Sequence, residues 1–420
     1  MRRVGQRADP TEALAVTPLR RNRDFLLLWT GEAASLLGTR AASVAYPLLA
    51  LALTHSPVYA GTLAFAARLP WFLFTLPAGA LADRVSRKLV MVVADSIAAV
   101  AMLSVALALG AGSLTLPHLY AAAFAEGTAF ILMQVSQPGA LRRIVPREQL
   151  PDAIARAEAR EYGASLAGPP LGGVLFGAAR ALPFLANGAS YLCSLTALLL
   201  IRTPFGDPRA ETTRRHLFHE IGEGLRWLWG QPFLRASLLL VGVSNFYSNG
   251  VAFSLIVIVR QHGGSPLLIG AMLSIVSVGG FLGALAAPRL RRVIPRRFVV
   301  VSIAWIAAAV SVPLALVAPR ALALGALLAI LGFVGPTWNA VVDGYRIMIV
   351  PDRLQGRVSS VDALLAFSAI PLAPLVGGFL IDGVGGASAI LIFGGLMLLV
   401  AVAGTASPAL RLVATAPDPG

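Results

Sequence analysis

One cysteine, Cys193, and one lysine, Lys88, are all that 420 residues hold of either type, and charged residues of every kind make up only 13% of the chain. The lone cysteine lies in an apolar run and excludes both a disulfide framework and a Cys-based metal site. The lone lysine lies in a charged loop, which excludes a phosphate-binding loop with its GK[ST] lysine and a buried Schiff-base lysine. Five histidines assemble no metal site: His55, His118 and His262 fall in separate loops, and His216 with His219 lacks further ligands. No nucleophile–base arrangement is legible either, so no enzyme and no cofactor are indicated. Soluble domains are about 25% charged and about 45–50% apolar. This chain, 57% hydrophobic with a mean hydropathy of +0.77, is instead a membrane protein.

Apolar runs bounded by arginine clusters or Gly, Pro and Ser turns predict spans at 25–53, 57–82, 89–110, 117–137, 158–179, 183–201, 235–259, 266–288, 298–317, 321–345, 357–381 and 386–410, twelve in all. The net charge of +14 would suit a nucleic-acid partner, so the positions of the positive charges must decide. With the N-terminus inside, 29 of the 34 basic residues fall on the inner side, Arg180, Arg260 and Arg320 fall outside, and Arg40 and Arg68 lie within spans. The positive-inside rule therefore predicts that both termini are cytoplasmic. The basic charge is a topology signal, and nucleic acid is not an expected partner. Residues 1–24 are Arg-rich and the first apolar run is far too long for a signal-peptide core.

A repeat with an offset near 205 residues runs through the chain. Ser56-Pro57 with Gly61 recurs as Ser265-Pro266 with Gly270, and Gly79-Ala80-Leu81-Ala82 as Gly283-Ala284-Leu285-Ala286. Ile144-Val145-Pro146 recurs as Ile349-Val350-Pro351, and Pro169, Gly172, Gly173 and Leu175 as Pro374, Gly377, Gly378 and Leu380. Agreement in order and spacing predicts two parallel six-helix halves, an all-α arrangement of transporters whose site lies between the halves. The expected organisation is an inner tail at 1–24, a first half at 25–202, a linker at 203–234, a second half at 235–410 and a tail at 411–420. In the linker, Leu217, Ile221, Leu225 and Leu228 recur at helical spacing with Glu220, Glu223 and Arg226 on other faces. They predict an amphipathic helix on the inner leaflet, in contact with membrane lipids.

The stretch Gly79-Ala80-Leu81-Ala82-Asp83-Arg84-Val85-Ser86-Arg87-Lys88, between spans 2 and 3, resembles the loop signature G-x-L-a-D-r-x-G-r-[kr] of the major facilitator superfamily, with Ser86 where that family usually has glycine. The resemblance runs the length of the chain, through Gly168-Pro169-Pro170-Leu171-Gly172-Gly173 in span 5 and Glu223-Gly224-Leu225-Arg226 in the linker. Together these are similar to the subgroup of bacterial drug and siderophore exporters that includes the enterobactin exporter. The resemblance implies a twelve-helix fold and proton-driven export of a small molecule across the bacterial cytoplasmic membrane by alternating access. It further implies a conformational latch at Gly79, Leu81, Asp83, Arg84, Arg87 and Lys88, with Asp83 capping the start of span 11 near Arg357. It also implies an exporter-type motif at Gly168, Pro169, Gly172 and Gly173, where proline bends a helix and paired glycines admit a close neighbour. A solvated basic loop and ordinary small-residue packing are the plainer readings of these two motifs.

Intramembrane charge is the sharpest chemical signal, since each such group costs ~2.5–3.5 kcal/mol at a helix centre. A rise of ~1.5 Å per residue places Glu32 ~10 Å and Arg40 ~22 Å from the inner face, and Arg68 and Glu126 ~16 and ~14 Å from the outer face. Depth allows Glu32 to pair with Arg68, and Glu126 with Arg40 or Arg68, as proton-coupling groups, cargo ligands or static braces. Asp95, Glu158 and Glu161 are expected to be hydrated near the inner face, and Asp382 near the outer. The acid that the family often has in span 1 is replaced by Thr39, and its span-4 arginine is missing, with Glu126-Gly127 the polar feature there. In the second half Asn245, Phe246, Tyr247, Asn249, Trp338 and Asn339 form polar-aromatic faces that suit an amphipathic cargo or helix packing. Three classes remain open: a monomeric exporter of amphipathic molecules driven by protons, a proton-coupled importer, and a non-transporting receptor or scramblase.

Overall fold

The computed structural model describes residues 18–205, 217–351 and 354–411, and within them the chain is helical throughout. Six long helices form the first half: α1 (Arg23–Thr54), α2 (Pro57–Arg84), α3 (Arg87–Gly110), α4 (Leu116–Ile144), α5 (Leu150–Ala178) and α6 (Leu182–Leu200). The linker helix α7 (Leu217–Trp229) leads to α8 (Pro232–Gln261), α9 (Pro266–Val293), α10 (Arg296–Val317) and α11 (Ala321–Ile349). The chain then runs through α12 (Gln355–Ser368), α13 (Leu372–Val384), α14 (Gly386–Ala406) and a final turn α15 (Pro408–Arg411). Ten segments, α12 and α13 counted as one, are long and apolar enough to cross a membrane. With α2 and α5, of 28 and 29 residues, they make the twelve-span bundle.

Local sequence supplies the signals that start and stop these helices. Proline at a first or second position opens α2, α4, α8 and α9, where its missing N–H costs nothing. The side chains of Asn22, Thr115 and Ser265 accept hydrogen bonds from the backbone N–H groups of Phe25, His118 and Leu268. Gly385, at φ 82°, makes the one-residue turn between α13 and α14, a conformation that a side chain would strain. Helices such as α4 and α5 start or end well beyond the predicted spans, because the polar turns that flank them continue the helical ladder.

The two halves pack alike. In the first, α1 lies against α6, α3 against α4 and α6, and α2 against α4; in the second, α8 against α14, α10 against α11 and α14, and α9 against α11. Between the halves α5 meets α9 and α2 meets α13, and both seams use the repeated glycines. A Cβ at Gly173 would overlap the carbonyl of Pro266, and one at Gly270 the carbonyl of Pro169. The other seam repeats this with Gly378 against Pro57 and Gly61 against Pro374. Backbones in such contact are possible only where side chains are absent. The offset of 205 residues is therefore a pseudo-twofold axis, and the closest approach is at the end of the bundle away from α7.

Span 11 departs from the single predicted helix. Its ladder stops at Ser368 and restarts at Leu372, because Pro371 lacks an N–H and disfavours helical backbone at Ile370 before it. The linker helix α7 is seated against α12: Gly224 touches the backbone of Arg357, Glu223 pairs with the Arg357 guanidinium, and Leu228 is buried. Leu225 and Trp229 remain exposed. The side chains of Leu217, Glu220 and Ile221 lie outside the described residues.

Candidate functional site

The first half encloses a polar cavity whose walls include Glu32, Thr39, Asp95, Gln137, Arg160 and Tyr191. Glu32, on the buried side of α1, accepts a hydrogen bond from Gln137 Nε2 at 2.5 Å and pairs with Arg160 of α5. Its other oxygen, Oε1, is buried without a partner. Asp95 on α3 is 1% exposed, with Oδ2 likewise unpartnered. This corrects the expectation of a hydrated Asp95. Because α3 begins at Arg87, Asp95 stands two turns inside a helix covered by α4 and α6. Glu158 is exposed and Glu161 partly so, as the sequence predicts.

Higher in the same half, Glu126 on α4 is buried among neutral donors. It accepts from Tyr46 Oη at 2.6 Å, Asn187 Nδ2 at 2.6 Å and Tyr191 Oη at 3.1 Å. Tyr191 Oη also lies 2.8 Å from Thr39 Oγ1 and, with its own proton given to Glu126, is placed to accept from that hydroxyl, so hydrogen-bonded groups lead from Glu126 to the cavity wall. The pairings read from depth are not those of the structure. Glu32 is held by Arg160, and Arg40 pairs with Glu161 in a half-exposed contact. Arg160 had been counted among the inner-side charges, yet α5 starts at Leu150, so Arg160 lies nearly three turns into it. Arg68 is solvent-accessible and has no carboxylate or hydrogen-bond partner among the described residues.

In the second half, Tyr247 is fully buried, donating to the carbonyl of Ala307 at 3.0 Å and sharing a hydrogen bond with Ser311 Oγ at 2.8 Å. Trp338 is buried as well and donates to the carbonyl of Val300 at 2.9 Å. Both indole and phenol are thus committed to packing α8, α10 and α11. Asn245 donates to the carbonyl of Ala366 at 2.8 Å and Asn249 to that of Asn245 at 2.9 Å, both half-buried. Phe246 stacks 5.5 Å from Phe393 and Asn339 is exposed.

Of the latch residues, Lys88 donates to the carbonyl of Ile201 at 2.6 Å, tying α3 to the end of α6, and Arg87 covers Gly139 of α4. Leu81 is exposed, and a Cβ at Gly79 would meet nothing within 4 Å among the described residues. Among the described residues, that end of α2 has open space beside Gly79. The side chains of Asp83 and Arg84 lie outside the described residues. In the span-5 motif, Gly168 and Gly172 lie against the α1 backbone at Arg40 and Ala41, Gly173 against Pro266, and Pro169 against Gly270. The sequence alone does not mark Arg160, Tyr46, Asn187 or Tyr191 as site residues, and it reads Asp95 only as a hydrated group near the inner face. Asp95 shares a buried stripe with Met91, Ala94 and Ala98, a spacing that marks its face as inward.

The sequence model of a family described as "transmembrane secretion effector" matches residues 13–417. The chain is 28% identical over 389 residues to the "Multidrug efflux pump Tap" of Mycolicibacterium fortuitum, covering 90% of this chain and 93% of the relative. It is 28% identical over 386 residues to the protein of the same description in Mycobacterium tuberculosis, covering 86% and 87%. Among solved structures it resembles a bacterial homologue of the human lysosomal transporter Spinster, with a TM-score of 0.66, 15% identity and coverage of 96% of this chain and 100% of that one. It also resembles a bacterial homologue of the iron transporter ferroportin, with a TM-score of 0.67, 15% identity and coverage of 93% and 100%. At that identity the two structures establish a shared fold.

Proposed function

The chain belongs to the transmembrane secretion effector family of the major facilitator superfamily, and on that footing we propose that it exports amphipathic small molecules from the bacterial cytoplasm by alternating access in exchange for protons. The observation that carries this reading is the asymmetry of the interface between halves. Glycine–proline seams draw the halves together at the end away from α7, while at the other end Leu81 is exposed and a Cβ at Gly79 would meet nothing within 4 Å among the described residues. With α7 in the cytoplasm, as the arginine distribution predicts, such an asymmetry would suit a state open to the inside. The efflux activity of the Tap relatives supports the outward direction.

Proton exchange is supported by the buried acids of the first half. Glu32 and Asp95 share one cavity with a single arginine between them and one unpartnered oxygen each, which leaves room for one proton. Glu126 stands apart from them, held by three neutral donors, and is the second candidate. Everted membrane vesicles containing the protein should accumulate a fluorescent amphipathic dye when energised, and a protonophore should abolish the accumulation. Energised uptake by right-side-out vesicles would instead establish an importer. Glu32→Gln and Glu126→Gln each mimic the protonated acid without changing its volume. Proton-driven accumulation that survives in both variants removes these two acids from the coupling mechanism.

A further inference from the structure

Arg68 stands out because no described residue gives it a counter-charge. Arg40 has Glu161 and Arg160 has Glu32, whereas no described carboxylate or carbonyl reaches Arg68. An arginine at mid-depth is costly enough that those retained there line cavities or bind ions and substrates. Its place is set by the seam. Along one face of α2, Pro57 lies against Gly378, Gly61 against Pro374, and Trp71 lies 5.7 Å from Phe367, ring centre to ring centre. Arg68 falls on that face between Gly61 and Trp71, level with the break between α12 and α13. The carbonyls at the break have partners of their own. Leu365 accepts from Ser368, Ala366 from Asn245 and Phe367 from the N–H of Ile370, so the loose end of α12 does not neutralise the guanidinium.

One turn along α2, Trp71 joins Phe130 of α4, at 6.3 Å, and Phe367 of α12 in an aromatic group that both halves supply. Phe367 is partly exposed and Phe130 borders the polar cavity of the first half. An exposed cation beside an aromatic wall recognises a particular chemistry. The flat guanidinium fork binds an oxyanion through two parallel hydrogen bonds, and the rings take up an apolar body.

We infer that Arg68, with Trp71, Phe130 and Phe367, is a docking site for an amphipathic cargo that carries an oxyanion, a carboxylate or a sulfonate on an aromatic or otherwise apolar body. The site rests on the reading of the chain as a transporter and names the class of its cargo. Because Phe367 belongs to one half and the other three residues to the opposite half, a cargo held there bridges the seam.

The test uses the full-length protein in lipid nanodiscs, with empty nanodiscs as the blank for partitioning. Equilibrium dialysis with naphthaleneacetate, naphthaleneacetamide and naphthaleneethylamine compares one ring system bearing a negative, a neutral and a positive group. The acetate should bind about tenfold more tightly than the amide, and the amine most weakly. Arg68→Gln should bring the acetate down to the affinity of the amide, and Arg68→Lys should restore part of the difference. Equal or absent binding of the three probes by the unmodified protein overturns the site, as does a preference for the acetate that survives Arg68→Gln. Dye export that continues without any preference for the anion overturns this site alone. Selective binding of the acetate by a protein that exports nothing overturns the exporter reading and keeps the site.

Discussion

Glu32 on α1 and Arg160 on α5 form an ion pair with only 7% and 10% of their side-chain surfaces exposed, and Gln137 completes it from α4. Three helices of one half are therefore joined through a single carboxylate. Breaking a buried pair by removing one member strands the other charge, at a cost of ~3–5 kcal/mol. Arg160→Met should lower the thermal unfolding temperature of the detergent-solubilised protein, and Glu32→Gln with Arg160→Met together should recover most of the loss. A double variant no more stable than Arg160→Met would mean that the pair is not the stabilising element.

Glu126 depends on neutral donors, and each should matter separately. Tyr46→Phe or Asn187→Leu removes one donor from a buried carboxylate, which typically costs about 1–3 kcal/mol. Thermal unfolding of the single variants measures this. Combining either with Glu126→Gln should cost less than the sum, because the two changes act on one hydrogen bond.

The glycines of the seam should tolerate no side chain while Gly79 does. Gly173→Leu and Gly378→Leu place atoms into the backbones of Pro266 and Pro57, so both should loosen the sealed end. In each, a cysteine near that end, introduced on a Cys193→Ser background because Cys193 is exposed, should react faster with a maleimide. Gly79→Ala, with nothing within 4 Å of its Cβ among the described residues, should leave the unfolding temperature within ~0.5 kcal/mol equivalent of the parent.

The contact of the linker helix with span 11 should govern local order more than stability. The Glu223–Arg357 pair is about one-third exposed on each side, and such pairs contribute about 0–1 kcal/mol. Glu223→Gln should therefore unfold almost as the parent does, yet amide exchange across residues 217–229 should accelerate. Exchanging the charges, Glu223→Arg with Arg357→Glu, should slow it again.

Orientation can be read with the same reagent. On the Cys193→Ser background a cysteine at Ser113, in the exposed turn between α3 and α4, should label with a membrane-impermeant maleimide in intact cells, and one at Gly230, after the linker helix, should not. The opposite pattern would invert the bundle in the membrane and with it the direction of transport.

Much of the fold could be read before any coordinates, and the reason lies in a few residue types. Arginine clusters and helix-opening prolines such as Pro57 and Pro266 delimit spans with little ambiguity. Gly61 recurs as Gly270 and Gly173 as Gly378, at offsets of 209 and 205 residues, because each pair occupies equivalent places in the two seams. The polar interior was less legible. Depth along a helix axis says nothing about azimuth, so depth pairs Glu32 with Arg68, counts Arg160 with the inner-side charges and puts Asp95 at the water's edge. Tyr247 and Trp338 had the composition of a cargo wall, yet their hydrogen bonds to Ala307 and Val300 show that they pack helices. Backbone breaks caused by a single proline, as at Pro371, are hidden in an otherwise continuous apolar run.

In the alternating access proposed above, the glycine–proline seams would act as a fulcrum placed at one extreme of the bundle. A helix such as α2, with 28 residues, is about 42 Å long. Turning one half by about 15° around its sealed end would then sweep the opposite end through about 11 Å. Small displacements where Gly173 meets Pro266 would thus be multiplied into an aperture at the far end, and the mechanical advantage would come from where the side chains are missing.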